Sequence, residues 1–315
     1  MGRALTFAAA CLTTVIVTFA ATGCTTGADT DTDAGTGTGT GTGTESRSPG
    51  QELTDAEQIL VRHAEELLVK KCMARKGFSY WVGPMASVDE RGGYGYVLDD
   101  LGWAKKYGYG GRLEKKAAKA RLNDPNLAYL EKLSPAEAAR YEKALAGDES
   151  GPTLSAELPG GGTVRTPRDS CRADAKDQVY GDFETWFRVK KTAENLTPLF
   201  VPDLLRDKRF KKALRAWATC MREAGHSYAD PPGVRAELEE LTEGLSSGEA
   251  HATEVELATA EATCATKSSL AATARTLERE YRDKGLRQYG DEFAAYQRME
   301  VAALPRAEDI TGSHA

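Results

Sequence analysis

Hydrophobic positions along this chain recur every three or four residues rather than in alternation. From residue 54 onward that spacing predicts a succession of helices. Leu60, Ala64, Leu67, Leu68 and Cys72 form one face of the first helix, which Thr54 and Glu57 open as a capping-box variant and Gly77 closes. Arg112 to Leu122 predicts a basic helix and Ala128 to Leu133 a short one. Ser134-Pro135-Ala136-Glu137 then starts a helix that runs to Gly147. Residues 148–167 are polar, rich in Gly and Pro and without a period, which predicts an exposed insertion. After Asp169-Ser170-Cys171, the positions Ala175, Val179, Phe183, Trp186, Val189, Ala193 and Leu196 fit one continuous stripe, ended by Pro198 and Pro202. A helix over 203–224 buries Phe210, Ala213, Leu214, Trp217 and Met221, and Asp230-Pro231-Pro232-Gly233 predicts a rigid turn. Further helices are expected over 234–242, 249–282 and 291–304, with 305–315 as a frayed tail.

Within this pattern one unit occurs twice. Cys72-Met73-Ala74-Arg75-Lys76-Gly77-Phe78-Ser79-Tyr80 and Cys220-Met221-Arg222-Glu223-Ala224-Gly225-His226-Ser227-Tyr228 agree at five of nine positions. In each, a helix runs into a Cys-Met pair and stops at a glycine suited to the left-handed residue beyond a helix end. Each unit continues into a second helix carrying one more cysteine, Cys171 or Cys264. The expected fold is therefore all-α, two disulfide-stapled helical pairs with an irregular Gly/Tyr-rich insertion in the first. The first repeat is assigned to 51–200 and the second to 201–304.

The N-terminus differs in kind. Arg3 precedes the apolar run Ala4 to Ala21, which closes on Ala21-Thr22-Gly23-Cys24, the pattern of a bacterial lipobox. That resemblance implies cleavage before Cys24, lipidation of its thiol, and residues 1–23 as a signal peptide. A membrane-spanning helix needs ~20 apolar residues, and threonines interrupt this run. Residues 24–50, with an unbroken Gly-Thr alternation from Gly35 to Thr44, have too little apolar surface to bury and predict a disordered tether behind the lipidated cysteine. The chain carries 41 basic and 47 acidic side chains, a net charge of −6, and loses Arg3 with the leader. Such a balance argues against nucleic acid or an anionic membrane surface as a partner sought by bulk charge. Lys70-Lys71, Lys105-Lys106 and Lys115-Lys116 are read as solvated helix faces.

Four cysteines remain after Cys11 is removed and Cys24 is lipidated, and their even number suits an oxidising compartment. Their separations are too long for a structural zinc site. Four cysteines allow three pairings, and only Cys72–Cys171 with Cys220–Cys264 gives both copies the same internal link. The chain also resembles an actinobacterial secreted lipoprotein family of uncharacterised function. The likeness rests on Cys220-Met221-Arg222, Gly225, Asp230-Pro231-Pro232, Tyr107-Gly108-Tyr109, Leu133 to Glu137, and Cys171 with Tyr180-Gly181-Asp182. It covers most of 54–280 and brings no catalytic residues with it. The first copy departs from it, with Ala74 in place of Arg222 and no Asp-Pro-Pro turn.

Candidate chemistry changes this picture little. Tyr94, Tyr96, Trp103, Tyr107 and Tyr109 are interleaved with glycines, without the Gly-Lys-Ser/Thr ending of a phosphate loop or a dinucleotide fingerprint. They are either a stacking surface for a sugar or peptide, or rings filling a core beneath an irregular segment, the second being favoured. His63, His226, His251 and His314 form no His-Glu-x-x-His pair, and Asp99-Asp100 is read as a helix cap. No cofactor or metal is implied. The resulting expectation is a non-catalytic protein, bound to the outer face of the membrane through its N-terminal lipid, that takes an envelope partner protein or cell-wall component. The alternative is a cell-envelope hydrolase or small-ligand receptor whose site is assembled from distant residues.

Overall fold

The computed structural model describes residues 52–92 and 95–313. Cys24 with its leader and tether, Tyr94 and His314 lie outside the described residues. Helix α1 (Asp55–Arg75) begins at Thr54, whose hydroxyl accepts from the Glu57 amide while its own amide donates to Glu57 Oε2 at 2.7 Å. After a single 3-10 turn over Val88–Arg91 come α2 (Leu101–Tyr107), α3 (Gly111–Leu122), α4 (Pro125–Leu130) and α5 (Pro135–Ala146). Strands β1 (Thr153–Glu157) and β2 (Thr163–Pro167) pair antiparallel, with Ser155 opposite Arg165. The rest is helical: α6 (Cys171–Tyr180), α7 (Phe183–Glu194), α8 (Thr197–Arg206), α9 (Lys208–Glu223), α10 (Pro231–Thr242), α11 (Ser247–Lys267), α12 (Leu270–Gly285) and α13 (Gly290–Thr311). The protein is all-α apart from that hairpin.

Both Cys-Met helix ends close in the same way. Phe78 N donates to Met73 O and Gly77 N to Ala74 O, both at 3.0 Å. His226 N donates to Met221 O at 2.8 Å and Gly225 N to Arg222 O at 3.1 Å. These crossed bonds are a Schellman motif, and they need the positive φ that Gly77 (+85°) and Gly225 (+92°) adopt. The disulfides pair as the repeat predicts. Cys72–Cys171 ties α1 to α6 with 5.5 Å between Cα atoms, and Cys220–Cys264 ties α9 to α11 with 5.6 Å.

Six stretches differ from their sequence patterns. The helix expected over 203–224 is divided at Asp207, which caps α9 by accepting from Arg209 N. Asp230-Pro231-Pro232-Gly233, expected as a rigid turn, opens α10, with Asp230 accepting from Gly233 N at 2.8 Å. Residues 148–167 hold the hairpin, which buries Leu154 and Ala156. Their alternation with Thr153, Ser155 and Glu157 is a period of two, too short to stand out among turn residues. The stripe expected over 171–196 is broken at Gly181 (φ +87°), after which Asp182 caps α7 by accepting from Thr185 N. Pro198 and Pro202 do not end that stripe; they lie within α8. The pattern over 249–282 is divided at Ser269, whose φ of +59° turns the chain between α11 and α12, while Ser268 Oγ donates to Cys264 O at 2.7 Å. The expected tail is helical as far as Thr311, because Ala303 and Ala307 are fully buried and α13 continues through Pro305.

Two hydrophobic cores result, and their membership crosses the division expected near residue 200 in both directions. The first gathers α1, α5, β1, α6 and α7, and it is completed by α13 from the far end of the chain. The second is built around Phe210, Trp217, Met221, Leu257 and Leu270 from α9, α11 and α12. It is completed by residues 97–109, which belong to the insertion of the first repeat.

Candidate functional site

The aromatic segment is a seal over the second core. Trp103 and Tyr109 are only 6 % and 9 % exposed. Tyr96 is half-buried with its ring edge-on to Phe210 at 4.9 Å, and Tyr107 is half-buried 5.3 Å from Trp103. The condition under which these rings would form a stacking surface is therefore not met for Trp103 and Tyr109. Asp100 caps α2 by accepting from Trp103 N at 2.8 Å, and Asp99 pairs with Arg275. The glycines permit close approach to α11. A Cβ on Gly108 would stand 2.6 Å from Glu254 Cβ, and Gly111 N donates to Glu254 Oε2 at 3.0 Å.

Glu261 fastens this segment from beneath. Its side chain is fully buried, and it accepts from Leu98 N (2.7 Å), from the Tyr109 hydroxyl (2.7 Å) and from Arg235 Nη2 (2.9 Å). Arg235 Nη1 also donates to Tyr96 O at 3.3 Å. Burial pushes the Glu261 carboxyl above its ordinary range against the opposing pull of Arg235, Tyr109 and the Leu98 amide. Tyr109 is pushed up by the same burial and by the carboxylate beside it. Glu261 was not among the sequence candidates, although it lies on the buried stripe of α11 with Leu257, Ala258, Cys264 and Ala265. A carboxylate on an apolar face was the available signal.

A second polar network crosses the first core. Tyr180 donates to Glu65 Oε1 at 2.7 Å and stacks on Trp186 with ring centroids 4.1 Å apart. Trp186 Nε1 donates to Glu300 Oε1 at 2.9 Å, and the Lys190 ammonium lies over the Trp186 ring at 4.6 Å. Glu300 is pushed up by burial, opposed by Lys190 and by the Trp186 donor, while Glu65 and Glu194 add to the rise. These bonds join α1, α6, α7 and α13 and hold their carboxylates against buried donors.

Two open concavities lie elsewhere, one beside each disulfide. A groove of about 620 Å³ runs along Cys220–Cys264, lined among others by Glu223, His226, Glu256, Thr259 and Lys267. His226 Nε2 stands 4.0 Å from Glu256 Oε1. A groove of about 520 Å³ lies at the matching place beside Cys171, with Lys76, Arg140, Lys143, Asp169 and Asp174 on its walls. Of the other histidines, His63 is exposed on α1 and His251 half-buried on α11. Among the described residues no group of three His, Cys, Asp or Glu is placed to hold a metal ion, and no helix is long and apolar enough to cross a membrane. Comparison with family models, with curated proteins and with solved structures finds no match to this chain.

Proposed function

We propose that this is a lipid-anchored, extracytoplasmic, non-catalytic binding protein of the lipoprotein family that its Cys-Met motifs resemble. In this reading Cys24 carries the lipid, residues 25–50 form the tether, and the disulfide-stapled helical body takes an envelope partner protein or a cell-wall component. The observation that carries it is the pair of like-built units, each with a Schellman end, an internal disulfide and an open groove beside it. Disulfides persist in oxidising compartments, in keeping with a leader that ends Ala21-Thr22-Gly23-Cys24. The internal carboxylates support a binding role over a catalytic one, since buried Glu261 and half-buried Glu65 and Glu300 are each held by donors from neighbouring elements. Binding is assigned to the groove walls in place of the aromatic segment, because those walls are open and carry charged side chains, Glu223, Glu256 and Lys267 in one and Lys76, Arg140 and Asp174 in the other.

Two measurements test the reading. Cys24→Ala abolishes acyl labelling and releases the protein from the membrane; unchanged labelling overturns the anchor. Crosslinking in intact cells, with lipidation left intact, captures a discrete partner that Thr259→Trp, which obstructs the groove beside Cys220–Cys264, no longer captures. An unchanged capture pattern removes that groove from the function.

A further inference from the structure

Helix α3 is loosely integrated into the molecule. None of its twelve residues is buried, it begins at Gly110 without a side-chain cap, and Leu113 is its hydrophobic tie to the second core. A helix of this length is marginal when it stands by itself in water. Successive residues turn by about 100°, which puts Arg112, Lys115, Lys116, Lys119 and Leu122 on one face. Leu113 and Ala120, both half-buried, fall on the face toward the body, and Glu114, Ala117 and Arg121 lie outside both faces. The outward face thus carries four cations and no acid, in a chain whose net charge is −6.

Local acids do not cancel that face. Glu90 takes Lys116 alone, and Arg112 reaches only the carbonyl of Ser247, at 3.4 Å. Asp124 is turned to the start of α4, accepting from Asn126 N at 2.8 Å. Among the described residues Lys115, Lys119 and Arg121 form no ion pair.

Three apolar side chains are exposed on α3 and on segments linked to it: Leu122 closes α3, Leu127 is on α4, and Trp81 is bonded to Asn126 of α4. Leu122 is 86 % exposed, Leu127 50 % and Trp81 40 %. Trp81 is held in place: its amide donates to Asn126 Oδ1 at 2.9 Å, its carbonyl accepts from Asn126 Nδ2 at 2.8 Å, and its ring meets Tyr129 edge-on at 5.6 Å. An exposed indole fixed through its backbone, together with two exposed leucines and a cationic helix face, has the chemistry of an interfacial membrane contact.

We infer that α3, with Trp81, Leu122 and Leu127, docks this domain on an anionic phospholipid surface. The cations meet lipid phosphates while the leucines and the indole enter the headgroup boundary. Charge complementarity selects an anionic partner, and the exposed apolar group selects a bilayer over a soluble polyanion. This rests in part on the proposed lipid anchor, which keeps a bilayer within reach: residues 25–50 span at most roughly 90 Å when fully extended. Anchor and face together are the two signals that stable membrane attachment requires.

The test uses the chain without its leader, residues 24–315 carrying Cys24→Ser, so that no acyl chain contributes. Sedimentation with vesicles of phosphatidylcholine plus phosphatidylglycerol should recover bound protein, while phosphatidylcholine alone should not, and binding should weaken as salt rises. Each cation near such a surface is worth roughly a fivefold change in partition. Lys115→Glu with Lys119→Glu should therefore lower binding at least ~25-fold, and Leu122→Ser with Leu127→Ser should lower it at fixed salt while leaving its salt dependence in place. These side chains are exposed, and an unchanged circular dichroism spectrum verifies that the fold is retained. Equal recovery with both vesicle types, or binding indifferent to both double variants, overturns the inference. Binding to inorganic polyphosphate without binding to vesicles assigns the face to a soluble polyanion and overturns it too. So does a charge-dependent dimer formed in place of vesicle binding. Acyl labelling of the native chain is read separately, so failure of the anchor and failure of this face are distinguishable.

Discussion

A buried carboxylate is an unusual fastener, and Glu261 shows what makes one workable. Three donors converge on its two oxygens, and one of them, Arg235, also supplies the opposing charge. Burial nevertheless wins, since the carboxyl is raised overall. A folded-state pKa above the unfolded one means that ionising the native protein is the costly step. Glu261 is therefore neutral in its effect below the unfolded value and lowers stability as pH rises through its folded value. Tyr109→Phe removes the donor to Oε2 and raises the carboxyl further, so its destabilisation should grow across that window. We expect roughly 1–3 kcal/mol near pH 8 and a smaller deficit near pH 4.5, read by urea denaturation at both. A deficit equal at the two pH values would place the loss in packing. This residue shows how far the sequence carries the site. Of the rings weighed as core or contact surface, Trp103 and Tyr109 are buried in the core and Tyr96 and Tyr107 pack half-buried against it, while Glu261 is marked only by standing among alanines on an apolar stripe. Nothing local in sequence pairs it with Leu98 or Tyr109, more than 150 positions away.

At the scale of elements, helix existence was legible and helix continuity was not. Capping residues announced α1 and α5, where Thr54 and Ser134 close capping boxes with Glu57 and Glu137. The breaks at Gly181 and Ser269 fall inside hydrophobic stripes whose period continues across them, so periodicity alone could not find them. Pro198 and Pro202 misled in the opposite sense, because a first-turn proline is compatible with a helix and packing can carry one through an interior position. The glycines that close the Cys-Met helices were readable because their conformation is demanded locally. At Gly77 and Gly225 an added Cβ meets nothing within 4 Å, so alanine there should cost only backbone strain, about 1 kcal/mol and alike at both sites. Gly108→Ala adds a collision with the Glu254 backbone and Cβ to a φ of +62° and should cost clearly more. Denaturant midpoints of the three variants check the order, and a Gly108→Ala protein no less stable than Gly225→Ala would refute the close approach of α2 to α11.

Across the whole molecule, what joins the two cores is an exchange of segments, because each disulfide closes within one core. Cys72, Cys171 and their surroundings belong to the first, and Cys220 and Cys264 to the second. Cross-links that close loops of 99 and 44 positions limit the unfolded chain by an upper estimate of about 4.7 and 4 kcal/mol. They constrain each unit and leave the relation between units to residues 97–109 and to α13. The repeat made the stapling readable, since it is repeated locally; the exchange depends on surfaces that meet only after each half has formed. Helix α13 is the more separable of the two exchanged segments, being terminal. It buries Ala303 and Ala307 in the first core and offers Glu300 to Trp186. Ending the chain after Tyr289 should therefore expose the face of α1 that α13 covers and deprive the Trp186 indole of its acceptor, while every residue of the second core remains. We expect two unfolding transitions in place of one cooperative loss. The earlier should be reported by hydrogen exchange in α1, α6 and α7, and the later by α9, α11 and α12 held by Cys220–Cys264. Protection lost equally from both sets would mean that the second core depends on the first, and the exchange would then be a requirement for folding rather than a joint between two finished units.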